Sequence, residues 1–377
     1  MNITQKVSIL GEAGKWDVCA SSNSLRKVKT QDRIGNPSSC GICHSFTEDG
    51  RCISLFKVLM TNSCSFDCKY CQNSISCSGP KAMLEPEELA KAFMSLYIRN
   101  YVEGLFLSSG ILGEPDKTTE KMIEAVKLLR NKYKFQGYIH FKVLPGTSRE
   151  LIRQASELAD RLSINIEAPS KSRLSELSSV KDYKIDILRR QAWIKNMKVQ
   201  SGQTTQMVVG ASDETDLEVL KMADWEYHNM RLKRAYYSAF TPVPKTPLHF
   251  RDKTPLEREH RLYNVDFMMR KYGIKLKEFK AILNEKDNLP KGDPKISLAK
   301  QHFSGPIDIN QAGYDELIRV PGIGPRSAFR IMSLRKKKLR IARPSQLESI
   351  GVVMKRAAPF LMIGCHIQRK VIDFAKA

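Results

Sequence analysis

The sequence lacks any apolar run that approaches the roughly 20 residues a membrane-spanning helix needs. This argues against an integral membrane protein. The first residues also lack the charged start and apolar stretch of a secretory signal. We therefore expect a cytoplasmic protein with no membrane association.

Acidic residues are scarce beside basic ones. There are 40 Asp and Glu against 62 Lys and Arg, which gives a formal net charge of +22. Such an excess favours a polyanionic partner, either nucleic acid or an anionic membrane surface. With the membrane set aside, nucleic acid is the expected partner.

The nine cysteines are an odd number in a chain without a visible export signal. Disulfides are rare in reducing compartments, so this usage indicates metal ligation instead. Three of them, Cys64, Cys68 and Cys71, have C-x3-C-x2-C spacing within the stretch Thr61–Asn73. A four-iron cluster usually takes four thiolates, so three leave one iron open to a substrate or cofactor. The alternative is a zinc knuckle or unrelated thiols.

Four more cysteines, Cys19, Cys40, Cys43 and Cys52, lie in an amino-terminal extension over residues 1–52. Cys40 and Cys43 have the C-x2-C spacing with which one turn offers two thiolates to a metal. The four could bind a structural zinc or an auxiliary iron–sulfur cluster. The competing interpretation is a set of buried free thiols.

From residue 53 to about 285, apolar strand-like runs alternate with helical patterns. This alternation predicts a parallel sheet with helices outside it. Loops at the carboxyl ends of such strands build active sites in βα-barrels. The six runs begin at Ile53, Gly104, Gly137, Arg161, Thr204 and Leu232.

The strand before Thr61 and the cysteine loop after it resemble the signature of radical S-adenosylmethionine (SAM) enzymes. The resemblance implies an α/β fold with a partial (β/α)6 barrel, a [4Fe–4S] cluster on Cys64, Cys68 and Cys71, and SAM bound at the open iron. It also implies reductive cleavage of SAM to a 5′-deoxyadenosyl radical, with an electron donor such as a flavodoxin or ferredoxin.

By the same resemblance, the end of the second strand approaches the amino group of SAM. Ser108, Ser109 and Gly110 occupy this place, and residues 113–115 offer a competing alignment.

Asn165 and Glu167 alternate on the fourth strand, where inward polar groups need partners. We expect them to contact the ribose or methionine part of SAM, the alternative being an internal hydrogen-bond network. Gly210, with Glu214, resembles the glycine-containing motif that contacts the adenine.

A polar, turn-rich stretch over residues 286–305 is expected to link the barrel to a small all-α domain over residues 306–377. That domain begins with Asn310 as an expected helix cap and contains a tight Gly322-Ile323-Gly324 turn. The pattern resembles the helix-hairpin-helix motif of DNA-binding proteins, in which backbone N–H groups hold a phosphate. A weaker second hairpin is expected over residues 346–358.

Residues 306–377 carry 14 Lys and Arg against 5 Asp and Glu. Such groups bind phosphates without reading sequence. The alternative is a hairpin that only packs two helices beside a solvated charged face. The residues predicted to bind DNA are Gly322, Gly324, Arg326, Arg330, Lys336 and Lys337.

Over nearly the whole chain, segments such as INIEAPS, YYSAFTPVPKTPL and DINQAGYDELIRVPGIGP resemble a family of DNA modification or repair radical SAM proteins. The resemblance implies a radical enzyme acting on a DNA base, with a uracil-DNA glycosylase-like partner protein. Two alternatives are radical modification of structured RNA and a non-enzymatic iron–sulfur protein that binds DNA.

Overall fold

The computed structural model describes residues 1–14, 42–46, 52–364 and 366–367. Cys19 and Cys40, two of the predicted metal ligands, lie outside the described residues. The chain divides into two compact units. The first comprises Met1–Glu214 and Trp225–Leu256, and the second comprises Thr215–Asp224 and Glu257–Ala377.

The first unit is built on a curled seven-stranded sheet, a half-barrel whose strands follow one another in chain order. The six strands from β2 to β7 pair in parallel, which confirms the predicted partial barrel. At one edge β1 pairs antiparallel with β2, an addition that the sequence pattern did not reveal. The strands are β1 (Ile42–Phe46), β2 (Cys52–Leu59), β3 (Gly104–Ser108), β4 (Tyr138–Lys142), β5 (Arg161–Ser163), β6 (Gln203–Val209) and β7 (Arg234–Ala239).

The strands are recognisable in the sequence because they are covered on both faces. All five residues of β3 are buried, and β6 is buried at six of its seven positions. Parallel strands of this kind appear as nearly continuous apolar runs rather than as alternating patterns.

At least one helix follows each strand from β2 to β7, as the pattern predicted. In α3, for example, Pro115 stands at the first helical position and Asp116 in the first turn, while Met122 and Val126 are buried. The helices are α1 (Ile3–Gly14), α2 (Pro86–Ile98), α3 (Pro115–Lys127), α4 (Arg149–Leu158), α5 (Lys171–Leu177), α6 (Arg189–Lys195), α7 (Asp216–Asn229) and α8 (Leu256–Phe267). Three π-helical segments, at Leu128–Lys132, Tyr183–Leu188 and Met268–Tyr272, adjoin them.

The second unit contains the helical carboxyl-terminal domain, whose own core includes Leu317, Ile331 and Leu347. A short three-stranded sheet accompanies the helices. Within the range predicted as a linker lies a helix, α10. The elements are α9 (Leu276–Lys280), α10 (Pro294–His302), β8 (Ile307–Asp308), α11 (Tyr314–Arg319), α12 (Pro325–Lys336), α13 (Pro344–Ser349), α14 (Met354–Ala357), a 3-10 turn (Ala358–Phe360), β9 (Leu361–Ile363) and β10 (His366–Ile367).

The predicted role of Asn310 as a helix cap is wrong. The helix begins later, at Tyr314, with Gly313 in the capping position. Asn310 instead cross-links two chain segments. Its Nδ2 donates to the Ile341 carbonyl at 2.9 Å, and its Oδ1 accepts from the Ile341 N–H at 2.8 Å.

Among the described helices, none combines the length and the apolarity of a membrane span.

A buried carboxylic acid lies on α7. Glu226 is fully buried, and neither of its carboxyl oxygens forms a well-oriented hydrogen bond within the described chain. Burial raises the pKa of Glu226 to about 8, and the nearby Gln191 amide offsets only part of this effect. Because the folded state holds this proton more tightly than the unfolded chain, the free energy of unfolding falls as pH rises from about 4.5 to 8.

We therefore expect Glu226→Gln to stabilise the protein at alkaline pH, because it removes the cost of ionising a buried acid. Between pH 5.5 and 8.5 the free energy of unfolding of the variant should gain roughly 3 kcal/mol relative to wild type. Urea unfolding at the two pH values measures this change. Glu120→Gln, at an exposed position on α3, is the matched control and should show no such gain; an equal gain there would contradict the assignment.

Candidate functional site

The loops after β2 and β3 lie side by side at the carboxyl edge of the sheet. The Met60 N–H donates to the Ser108 carbonyl at 2.8 Å, and the Gly110 N–H donates to the Thr61 carbonyl at 2.7 Å. One loop carries the three cysteines and the other carries the Ser-Ser-Gly sequence. Two of the predicted site segments are thus brought together.

Gly110 is required by this close approach. A Cβ atom at position 110 would stand 2.4 Å from the Ser63 carbonyl oxygen, which no side chain tolerates. Ser109 supports the same contact, since its Oγ accepts from the Thr61 N–H at 3.3 Å. Ser108 is buried. The segment therefore braces the cysteine loop, while its predicted contact with SAM stays a prediction.

The three thiols lie in a setting suited to metal-bound thiolates. The N–H groups of Phe66 and Asn73 donate to Cys64 Sγ and Cys71 Sγ respectively, each at 3.4 Å. The Ile111 N–H is a second donor to Cys64 Sγ, also at 3.4 Å. Hydrogen bonds to cluster sulfurs are one means by which proteins tune iron–sulfur centres.

Burial raises the pKa of Cys68, and it raises that of Cys71 to about 12. Without a metal such thiols remain protonated at neutral pH, whereas a bound metal would hold them as thiolates. Within the described residues, no three His, Cys, Asp or Glu side chains form a group that could hold a metal ion. In a four-iron cluster, by contrast, each thiolate binds a different iron.

A second segment, residues 177–181, holds the cysteine loop and is called the clamp here. The Lys69 N–H donates to the Leu177 carbonyl at 2.9 Å. Asp67 accepts hydrogen bonds from the Ser178 hydroxyl at 2.5 Å and from the Ser179 N–H at 2.9 Å. Burial alone would raise the pKa of Asp67, but these hydrogen bonds lower it to about 2, so the carboxylate stays charged.

Lys181, at the end of the clamp, joins the cysteine loop to the segment after β5. Its Nζ lies 3.2 Å from Glu167 Oε1 and also hydrogen bonds to Cys68. Both charged side chains of this pair are more than nine-tenths buried. Burial lowers the pKa of Lys181, but its interactions with Cys68 and Glu167 outweigh this effect and raise it overall. Lys181 is therefore charged at neutral pH.

Glu167 is held in an unusual backbone conformation. Its φ of 64° lies in the left-handed region, which is costly for a residue with a side chain. Hydrogen bonds fix it on both sides: its N–H donates to the Gln206 carbonyl at 2.9 Å, and its carbonyl accepts from the Val208 N–H at 2.8 Å. Its carboxylate also hydrogen bonds to Tyr70, whose pKa is raised by burial and by the Glu167 charge.

Asn165 differs from Glu167, with which it was predicted to act. Asn165 is only 9% exposed, and its side-chain amide has no hydrogen-bond partner among the described residues. Because the Asn165 amide is not among the sealed polar atoms without a partner, it keeps some contact with solvent and is accessible to a ligand. Glu167, in contrast, already has partners in Lys181 and Tyr70.

Gly210 follows β6 with a φ of 87°. A Cβ atom there would lie 1.8 Å from Thr254 Oγ1, so only glycine fits. The backbone of Gly210 is engaged on both sides, since its N–H donates to the Glu214 carboxylate and its carbonyl accepts from Arg251 Nε at 2.9 Å.

The described members of the amino-terminal cysteine set do not converge. Cys43 pairs with Leu55 across the β1–β2 ladder, whereas Cys52 pairs with Phe46. Cys52 precedes Leu55 by three residues, so the two cysteines lie on opposite faces of the sheet. Cys43 is buried in an apolar cluster with Ile53 and Phe106, and Cys52 is exposed.

In the second unit, α11 and α12 form the expected hairpin, and α13 and α14 form a second one. Gly322 and Gly351 occupy equivalent turns with φ of 87° and 88°. The Val353 N–H donates to the Gly322 carbonyl at 3.0 Å. A Cβ atom at position 322 would come within 2.5 Å of the Val353 carbonyl oxygen, so Gly322 permits the two hairpins to pack.

Gly324 is the N-cap residue of α12, and its N–H has no acceptor among the described residues. A buried lysine supports this turn from within the unit. Lys295 Nζ donates to the Ile323 carbonyl at 2.6 Å and lies 4.6 Å from the centre of the Tyr272 ring. Burial lowers the pKa of Lys295 to about 7.

The structure separates the basic residues predicted to bind DNA. At about 100° per residue, Arg326, Arg330 and Lys337 project from one face of α12, whereas Lys336 is turned roughly 80° from Arg326. Arg330 is partly engaged, because its Nη1 donates to the Ile350 carbonyl at 3.1 Å. Arg326 and Lys337 are exposed.

Two sequence profiles match the chain. Residues 58–225 match the radical SAM superfamily. This chain contains a radical SAM domain. A helix-hairpin-helix motif matches residues 303–357. The prediction of a radical SAM enzyme is confirmed at the level of the superfamily, and so is the presence of a helix-hairpin-helix motif.

Several solved structures resemble this chain at low sequence identity and with TM-scores below 0.5. HydG, a maturase of the [FeFe]-hydrogenase, has 12% identity and a TM-score of 0.48; the alignment covers 56% of this chain but only about half (48%) of HydG. Methylornithine synthase (PylB) has 14% identity and a TM-score of 0.48 over 78% of this chain and 84% of that protein. A radical SAM methyltransferase from Sphaerobacter thermophilus has 15% identity and a TM-score of 0.42 over 59% and 69%. No curated protein matches the sequence.

A radical SAM domain implies a [4Fe–4S] cluster and SAM. The residues present fit these groups. Three thiols are available on one loop, two of them with backbone N–H donors, and the unpartnered Asn165 amide follows β5. The clamp and Lys181 had no sequence signal, because residues 177–181 form an ordinary polar loop whose role depends on contacts over more than 100 positions of chain.

Replacement of Lys181 by methionine should show how much the buried Lys181–Glu167 pair contributes to the free energy of unfolding. Lys181→Met leaves the Glu167 carboxylate buried without its cation, which we expect to cost roughly 3–5 kcal/mol in the free energy of unfolding. Urea unfolding of the cluster-free protein measures this loss of stability.

Lys171→Met, an exposed lysine at the start of α5, is the control and should cost less than about 0.5 kcal/mol. The double variant Lys181→Met/Glu167→Gln should recover part of the loss. If the double variant were as unstable as Lys181→Met plus Glu167→Gln taken separately, the two side chains would not act as a pair.

Proposed function

We propose that this protein holds a [4Fe–4S] cluster on Cys64, Cys68 and Cys71, binds SAM beside it, and carries out a radical reaction on nucleic acid, with DNA as the favoured substrate. When bound, these groups supply reductive cleavage of SAM to methionine and a 5′-deoxyadenosyl radical, which removes a hydrogen atom from the substrate. Base modification or repair is the class of reaction that this proposal favours.

The observation that carries the cofactor assignment is the fixed position of the cysteine loop at the carboxyl edge of the sheet. Gly110 packs against it on one side, and the clamp holds Asp67 and Cys68 on another. The residues of this chain thereby fix the three thiols before a metal binds. The Asn165 amide is free to orient the polar part of SAM, whereas Glu167 acts on it only through Tyr70 and Lys181.

The nucleic-acid assignment rests on the second unit. Gly324 is the N-cap residue of α12, and its N–H has no acceptor among the described residues; at this end the helix dipole favours a phosphate. Exposed Arg326 and Lys337 extend this basic surface. Phosphate contacts alone do not separate DNA from RNA, so structured RNA is the second candidate. A non-enzymatic DNA-binding iron–sulfur protein is the third.

A single cluster accounts for the cysteines better than two. A second zinc or iron–sulfur site on Cys19, Cys40, Cys43 and Cys52 would require ligands from opposite faces of the β1–β2 hairpin. We therefore assign Cys43 as a core thiol. The proposal further includes an electron donor such as a flavodoxin or ferredoxin, and a cytoplasmic location. A uracil-DNA glycosylase-like partner rests on the family resemblance alone.

Iron counting should separate these assignments. The variant Cys64→Ala/Cys68→Ala/Cys71→Ala should lose all of its roughly four irons and four sulfides after reconstitution. It should also release no 5′-deoxyadenosine from SAM under reducing conditions. Analysis of iron, sulfide and nucleoside products makes the measurement.

The matched control is Cys43→Ala/Cys52→Ser, which should keep its cluster and its SAM cleavage. Retention of about four irons in the triple variant would instead establish a second cluster. A reconstituted wild-type protein that holds the cluster but leaves SAM intact would support the non-enzymatic alternative. Circular dichroism checks that each variant is folded.

Nucleic-acid binding should depend on the exposed face of α12. Arg326→Ala/Lys337→Ala should weaken binding to duplex DNA uniformly across sequences and reduce the salt dependence of the affinity by a slope of about 2. Fluorescence anisotropy at several salt concentrations measures both quantities.

Lys277→Ala/Lys280→Ala, which removes the same charge from the exposed side of α9, should have a smaller effect. Competition between duplex DNA and tRNA at a fixed salt concentration then shows which of the two polymers the protein prefers. Preferential displacement by tRNA would contradict DNA as the favoured substrate.

A further inference from the structure

A cleft opens beside the carboxyl-terminal end of α12. Its volume is about 470 Å³, and its lining includes the end of the helix and the chain that follows it up to Arg340. It lies within the second unit alone. None of its residues belongs to the hairpin turn around Gly322.

The rim of this cleft is cationic. Lys336, Lys338 and Arg340 line it, and all three are exposed. None of the three forms an ion pair with an acid in the described part of the chain. The nearest turn contains Asp308, whose carboxylate already accepts from the Asn310 N–H at 2.8 Å and from Gln311 Nε2 at 3.1 Å. This single carboxylate does not balance the three cations, so the rim keeps a net positive charge.

The walls of the cleft are fixed by hydrogen bonds. Arg335 donates to the carbonyls of Ala312 and Gln311, the latter at 3.0 Å. Asn310 is locked to Ile341 by the paired hydrogen bonds described above. A preformed site loses little entropy when a ligand binds.

The inner surface is partly apolar. Met332 and Leu339 line the cleft, and Leu339 is 54% exposed although it is a large aliphatic residue. An apolar surface beside a cationic rim matches a ligand that carries a flat apolar group next to an anion. A nucleotide has this character, because its base packs on apolar side chains while its phosphate meets the cations.

The cleft faces away from the hairpin surface. Met332 and Arg335 follow Arg326 by six and nine residues, which places them roughly 240° and 180° around α12. Lys336 also stands about 16 Å along the helix from Pro325. A phosphate backbone that follows one face of α12 from Arg326 to Lys337 therefore has to turn around the helix to reach Met332 and Arg335.

We propose that this cleft is a second nucleic-acid site, which binds an unpaired nucleotide segment of a single strand, distinct from the hairpin surface that contacts the duplex. The proposal rests on the nucleic-acid function proposed above. It adds that the second unit recognises junctions between paired and unpaired strands, since its two sites lie on different faces of one helix.

The test uses the full chain and the variant Lys336→Ala/Lys338→Ala/Arg340→Ala. Affinity for a single-stranded 12-nucleotide probe should fall by at least about tenfold, and its salt slope should fall by about 2. Affinity for a blunt duplex should change by less than about threefold. Anisotropy titrations at two salt concentrations give these values, and an unchanged melting temperature shows that the variant is folded.

Lys271→Ala/Lys277→Ala/Lys280→Ala removes the same number of charges from exposed positions of the same unit and is the control. Equal losses of single-strand and duplex affinity in the cleft variant, or losses no greater than in the control, would contradict the assignment of the cleft as a single-strand site. The proposed function would remain intact. Failure of the wild-type protein to bind any nucleic acid would overturn both.

Competition with inorganic polyphosphate at equal phosphate concentration tests whether the cleft recognises a nucleotide or any polyanion. Weaker displacement by polyphosphate than by an unlabelled oligonucleotide supports the apolar contribution of Met332 and Leu339. Equal displacement would show a general anion site and would overturn the assignment to nucleotides.

Discussion

The arrangement of the candidate active site depends on one buried cation. Lys181 Nζ contacts Glu167 at 3.2 Å and also hydrogen bonds to Cys68. In a medium of low dielectric constant a buried carboxylate such as that of Glu167 is costly without a compensating charge. Lys181 supplies that charge and, because it belongs to the clamp, also links the cysteine loop to the chain after β5.

Backbone strain and this electrostatic contact support each other. The left-handed φ of Glu167 is unfavourable by itself, yet hydrogen bonds to Gln206 and Val208 hold it there. In this conformation the Glu167 carboxylate contacts Lys181 and Tyr70, whereas the Asn165 side chain has no hydrogen-bond partner among the described residues. The two side chains therefore have different roles. Glu167 organises the cysteine loop, and Asn165 is available to a ligand.

The sequence predicted those features that depend on neighbouring residues. Buried parallel strands appear as apolar runs, the cysteine loop as a spacing, and the hairpins as glycine turns, and each is present. Features set by distant contacts could not be predicted. Lys181 lies 113 residues from Cys68 in a loop without a pattern, and β1 is defined only by its pairing with β2. Asn310 resembled a helix cap locally, but the distant Ile341 takes both of its hydrogen-bonding groups.

The basic run after the hairpin shows why charge in a sequence does not define a binding surface. Lys336 and Lys337 are adjacent in the chain, yet about 100° of helical rotation separates them. Lys337 continues the face that carries Arg326, whereas Lys336 lines a cleft with Met332 and Leu339. Because net charge is a sum over the whole chain, it cannot distinguish one broad surface from two narrow ones. The helix geometry distinguishes them, and it places the two on different faces of α12.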